Sequence, residues 1–173
     1  MNPLLTVLVL ILALAQTPAV SDEPATPVPG DYAVYQVETS TGLRMRVRVD
    51  ILGSDEQSIL VETRVLEAQG LHDPLARLIV GGLEGRYTIP RDNKANLART
   101  LMLGSGAGLL YVEPTSLPDG GVMRLTLNMM GAELVVEASW SPENGWLRSL
   151  TASISGLYRL VVKLVESSFM QAS

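Results

Sequence analysis

The sequence predicts a mainly β fold: an antiparallel meander forming a curved sheet, a half-barrel or a sandwich, with one or two short helices in a middle insertion. Three observations predict it. Apolar side chains recur at every second position through most of the chain beyond residue 31, which is the period of a strand with one face buried. The alternating runs are separated by short connections containing Gly, Ser and Asn, the residues of tight turns. At 173 residues with 47% hydrophobic residues, the chain has the length of one domain and the apolar content to fill its core.

Ahead of that domain, Leu4 to Ala15 is an uncharged apolar run followed by Gln16, Thr17, Pro18 and the small residues Ala19 and Ser21. This is the pattern of a signal peptide over residues 1–20, and the run is shorter than the roughly 20 apolar residues a membrane-crossing helix needs. No Lys or Arg precedes it, which thins the usual positive flank and leaves an uncleaved anchor as the alternative. On either reading the domain is expected outside the cytoplasm, secreted or tethered to the membrane. Residues 21–30 contain Pro24, Pro27 and Pro29, which remove backbone donors and favour extended conformations, so the stretch reads as a spacer. A single β-rich domain then spans 31–173, with an insertion at 71–108.

Within the domain, Ala33, Tyr35 and Val37 alternate with Val34, Gln36 and Glu38, and the short Ser40-Thr41-Gly42 connection suits a hairpin. The alternation is cleanest where Leu43, Met45, Val47, Val49 and Ile51 interleave with Arg44, Arg46, Arg48 and Asp50. After a turn at Gly53 to Gln57, Ile59, Val61, Thr63 and Val65 share one face and Glu62 and Arg64 the other. In the C-terminal half, Met123, Leu125, Leu127 and Met129 face one way, Met130-Gly131 turns the chain, and Leu134, Val136, Ala138 and Trp140 follow. The strand ends at Pro142-Glu143-Asn144-Gly145, where Asn-Gly is the strongest short hairpin signal in the chain, since both residues tolerate positive φ. Trp146 to Ser155 returns, Gly156 marks a turn or a bulge, and Tyr158, Leu160, Val162 and Leu164 alternate again. Helical leanings are confined to Asp73–Val80, where Pro74 suits a first turn, and Asn93–Leu103.

The Gly30-Asp31-Tyr32 strand start and the run from Trp140 through Asn144-Gly145-Trp146-Leu147 resemble small exported all-β archaeal proteins of unknown function. The resemblance implies a curved antiparallel sheet cradling a helix or lid, similar to the half-barrels of periplasmic lipoprotein carriers. It supplies no site residues.

Composition excludes several chemistries. A net charge of -5 argues against nucleic acid, whose phosphates require clustered cations. The absence of Cys removes disulfides, thiolate catalysis and Cys-ligated zinc. His72 is the only histidine; it lies beside Asp73 and Pro74 with no nucleophile motif elsewhere, and reads as a surface loop residue. Loop carboxylates at Asp55-Glu56 and Asp92 lack the EF-hand spacing and read as solvated. Gly104 to Gly108 lacks the Lys-Ser/Thr ending of a phosphate loop and reads as a flexible bend. Arg44, Arg46 and Arg48 form a stripe on one strand face, expected to pair with Glu38 and Glu62 on the flanking strands.

What remains is apolar. The strand faces are aliphatic and Met-bearing, and Met adapts to irregular ligands and irregular cores alike. Met45, Val47, Leu125, Leu127, Met129, Leu134, Val136 and Trp140 are therefore the candidate ligand-binding residues, with Leu78 to Leu83 as a glycine-hinged lid or a core-completing plug. No catalytic constellation, metal site or cofactor is expected. Two functional classes stay open: a module that binds a lipid or other apolar small molecule, and a structural or protein-interaction domain of the cell envelope. If uncleaved, the N-terminal segment adds a membrane contact.

Overall fold

The computed structural model describes residues 27–72, 83–91, 110–117, 119–129 and 131–169; the side chains of residues 119, 125, 127 and 129 lie outside that description. Both helical segments expected in the insertion, the Gly104 to Gly108 bend, Met130 and the signal segment also lie outside the described residues.

The expected antiparallel meander is present as one eight-stranded sheet that does not close. Its strands are β1 (Tyr32–Thr39), β2 (Arg44–Ser54), β3 (Ser58–Gln69), β4 (Gly85–Pro90), β5 (Val122–Met129), β6 (Ala132–Trp140), β7 (Leu147–Ile154) and β8 (Tyr158–Ser167). The order across the sheet is β4-β3-β2-β1-β8-β7-β6-β5, so two local meanders of four strands each meet along a β1–β8 seam. β4 lies within the segment expected to be an insertion. Its alternation is only a few residues long, between Gly85 and Pro90, which is too short a period signal to identify a strand unaided. It pairs along β3 from Thr63↔Gly85 to Ser58↔Pro90. Among the described residues helical structure is limited to Leu83 and two short 3-10 turns, at Pro114–Ser116 and Asp119–Gly121.

The alternation sorts the sheet into two chemically distinct faces. On the inner face, Ala33 and Tyr35 of β1, Val49 and Ile51 of β2, Ile59 and Val61 of β3, and Ile89 of β4 are buried in one cluster with Leu134, Val136 and Trp140 of β6 and Leu147 and Leu150 of β7. Full burial of each Ile, Leu or Val contributes about 1.5–3 kcal/mol. A second cluster gathers Val37, Leu43, Met45 and Val47, and Leu160 and Val162 of β8 pack against both clusters. The outer face carries the charges.

One end of the inner face is plugged by aromatic side chains. Tyr111 bridges in antiparallel fashion to Trp146, Val112 N–H donates to Gly145 O (2.9 Å) and Leu147 N–H donates to Leu110 O (2.8 Å). Trp146 meets the Tyr111 ring edge-on at 5.7 Å and stacks on Phe169 at 5.5 Å. Tyr111 donates to Glu113, whose other contact is Arg91 just past β4 (3.9 Å). The 110–113 segment thus ties the β4 edge to the start of β7, far across the strand order, and the sheet is curled.

The hairpin expected at Asn144-Gly145 is present, with only Gly145 of the pair at positive φ. β6 and β7 are joined by residues 141–146, Gly145 is at φ +74, and Asn144 is not at positive φ. Tertiary bonds decide the shape: Gly145 N–H donates to Ser141 O, and the Asn144 side chain accepts from Trp146 N–H (3.1 Å). The positive-φ pair occurs instead at Ser155 (φ 43) and Gly156 (φ 70), so Gly156 marks a turn, closed by Leu157 N–H donating to Ile154 O.

Candidate functional site

Ion pairs run across the outer face of β2, β3 and β4. Asp50 accepts from Arg48 Nε (2.8 Å) and Arg64 (2.5 Å), and the Arg48 guanidinium also lies over the Tyr32 ring at 4.2 Å. Burial pushes the Asp50 carboxyl up, but the two arginine hydrogen bonds outweigh it and hold it below the usual carboxylate range. Arg46 lies between Glu67 (3.9 Å) and Glu166 (3.8 Å), and Arg44 approaches Glu38 at 3.9 Å. Glu38 therefore meets the arginine stripe as expected. Glu62 does not; it pairs with Arg64 and Arg86, because its β2 partner in the register is Asp50 and its β4 partner is Arg86. With each stripe arginine facing carboxylates, the stripe is not an open anion site.

The remaining polar candidates have structural uses. Asp55 accepts the backbone N–H groups of Gln57 (2.8 Å) and Ser58 (2.7 Å). These bonds close the β2–β3 turn and hold its carboxyl below the usual range. His72 is exposed after the end of β3. Among the described residues no group of three His, Cys, Asp or Glu side chains is gathered as a metal site.

Of the eight candidate ligand residues, Met45, Val47, Leu134, Val136 and Trp140 all lie on the inner face, each no more than 5% exposed. They do not form one patch. Met45 and Val47 belong to the cluster near the β1–β2 turn, whereas Leu134, Val136 and Trp140 belong to the larger one that reaches the aromatic plug. The β5 backbone sets Leu125, Leu127 and Met129 opposite Val136, Leu134 and Ala132, and their side chains lie outside the described ones. Of the lid segment, only Leu83 is described; it packs against the smaller cluster, and its carbonyl accepts from the Thr63 hydroxyl.

One inner-face residue was not singled out by sequence reasoning. Tyr35 is 1% exposed, sits among apolar neighbours, and its hydroxyl has no hydrogen-bond partner. Burial pushes its phenol pKa far above the ordinary value, so it stays a protonated donor. Among the described residues, two other buried polar side-chain atoms are also unpartnered. Arg91 Nε belongs to a guanidinium whose other nitrogens reach Ser54 and Glu113, and Ser141 Oγ lies in the β6–β7 connection. The signal for Tyr35 was available: a residue with a polar tip in the apolar register of Ala33 and Val37.

No protein-family model matches the chain, and comparison with curated proteins returns no match.

Proposed function

We propose that this chain is an exported, non-catalytic domain acting at or near the cell envelope, and that it binds a lipid or other apolar ligand on the inner face of its sheet. The observation that carries this reading is the division of the sheet. All eight strands contribute apolar side chains to the inner face, where Arg91 and Glu113 at the plugged end are paired with each other, while on the outer face the arginines of β2, β3 and β4 meet carboxylates. An aliphatic, Met-containing surface curled on itself and plugged with aromatic rings at one end suits a flexible hydrocarbon better than a polar substrate. The signal-like residues 1–20 and the proline-containing spacer support placement outside the cytoplasm. Saturable uptake of fatty acyl or isoprenoid probes by delipidated full-length protein is the expected result, and absence of saturable uptake overturns the reading.

A second reading rests on the sheet edges. β4 and β5 each have one strand partner among the described residues, and an unpaired edge is a template for strand addition. A structural or interaction domain of an envelope assembly would use these edges. That reading fails if the protein isolated from native membranes is strictly monomeric with no copurifying partner.

A further inference from the structure

We infer that the Tyr35 hydroxyl is the polar anchor of the inner face, donating a hydrogen bond to an uncharged oxygen acceptor on a hydrocarbon-tailed ligand, of the kind a long-chain ester carbonyl provides. This rests on the proposed apolar-ligand function and specifies which ligand head the face accepts. Two independent observations meet at this residue. Its hydroxyl is buried in the apolar cluster with no protein partner, an arrangement native cores rarely leave unexplained. It also stands where the sheet is irregular: on the β1–β8 seam the register shifts between Val34 and Tyr35, with Val34 opposite Glu166 and Tyr35 opposite Leu164. The inserted residue is Val165 of β8, across the seam from Tyr35, and bulges are enriched beside functional sites.

The chemistry of the head follows from the surroundings. A phenol held protonated is a donor and requires an acceptor. Burial alone acts on the Tyr35 phenol, with no Lys, Arg or His beside it, and Arg91 at the plugged end is already matched by Glu113, so a carboxylate bound at Tyr35 would lack a counter-charge. An ester carbonyl satisfies the donor without importing charge.

The test uses full-length, delipidated protein and three radiolabelled sixteen-carbon probes delivered from cyclodextrin: methyl palmitate, palmitate and hexadecane. Wild type is expected to bind methyl palmitate about tenfold more tightly than hexadecane, the ratio expected of one net hydrogen bond. Tyr35→Phe is expected to abolish that preference while leaving hexadecane binding and the melting temperature no lower than in wild type. If wild type binds the ester and the alkane equally, or Tyr35→Phe keeps the preference, the anchor is wrong and the apolar-ligand function stands. Tighter binding of palmitate than of its ester overturns the uncharged-acceptor assignment. If no probe saturates, the function itself falls. The wild-type comparison is decisive even if the variant folds poorly.

Discussion

Gly145 is the position at which a single methyl group tests how the aromatic plug is held. A Cβ built there lies 2.1 Å from Val112 O, 3.0 Å from Tyr111 Cε2 and 3.1 Å from Pro114 Cδ, at a backbone φ of +74. The first contact is with backbone, so no side-chain rotation relieves it. Gly145→Ala therefore costs about 1 kcal/mol for the left-handed conformation. It also weakens the Val112 N–H to Gly145 O bond and its neighbour from Leu147 N–H to Leu110 O, at about 1 kcal/mol each. Loosening Trp146 from the Tyr111 edge adds about 0.5–1.5 kcal/mol. The expected loss is about 3.5–4.5 kcal/mol. Gly131→Ala is the matched control: φ is +84 and nothing lies within 4 Å, so only the conformational cost of about 1 kcal/mol applies. Urea unfolding followed by tryptophan fluorescence compares the two variants directly, since the chain's only tryptophans, Trp140 and Trp146, both belong to the plugged cluster. Equal midpoint shifts for the two variants would refute the claim that the 110–113 segment is seated on Gly145.

Trp146→Ala removes the stacked Phe169 and the edge-on Tyr111 together and is expected to cost about 3–5 kcal/mol, read in the same unfolding assay with loss of near-ultraviolet circular dichroism. Asp50→Asn should cost about 1 kcal/mol at neutral pH by releasing Arg48 and Arg64. Because the folded-state pKa is depressed, the Asp50 contribution is complete above the ordinary carboxylate pKa and is lost as pH falls through the folded value. The variant's deficit should therefore be constant from neutral pH to about pH 4 and shrink below it, and a deficit independent of pH would refute the pairing. Arg46→Gln should change stability by less than about 0.5 kcal/mol, since its carboxylate contacts are at 3.8–3.9 Å and solvent-exposed; a larger loss in the unfolding midpoint would contradict that weak-pair reading.

The inner face was legible in the sequence because its signal is local. Leu43, Met45, Val47, Val49 and Ile51 alternate with charged residues without interruption, and all five are buried. Leu134, Val136, Ala138 and Trp140 follow the same rule. Features set by distant parts of the chain were not legible. Asn144-Gly145 was legible as a hairpin, but its six-residue form was not, because Val112, some thirty residues earlier, donates its N–H to the Gly145 carbonyl. β4 offers too few alternating residues to register as a strand until β3 pairs with it. The partner of Glu62 depended on the β2–β3 register, where the shift between Arg46 and Val47 moves opposite charges past one another. Tyr35 was read correctly as inward-facing. Its missing partner is a property of the packed cluster and has no sequence signature.

The β1–β8 seam explains why the sheet keeps its two faces apart. Leu160, Val162 and Leu164 face inward along β8, so strict alternation would carry Glu166 inward as well, opposite Ala33. A carboxylate there would be buried without a counter-charge. The observed register sets Leu164 opposite Tyr35 and Glu166 opposite Val34, leaving Val165 as the extra residue of a bulge and 41% exposed. Glu166 is thereby turned to the outer face, where it accepts from the Tyr32 hydroxyl (2.9 Å) and meets Arg46. Ser167 then falls opposite Ala33, and Ser168 joins Asp31 and Tyr32 to fasten the end of the seam. One inserted residue thus corrects the phase of β8 where the two meanders join, keeping Glu166 off the inner face. It does so beside Tyr35, whose buried hydroxyl has no partner among the described residues, so the irregularity that keeps Glu166 out of the apolar surface also marks the position from which that surface can address a polar atom.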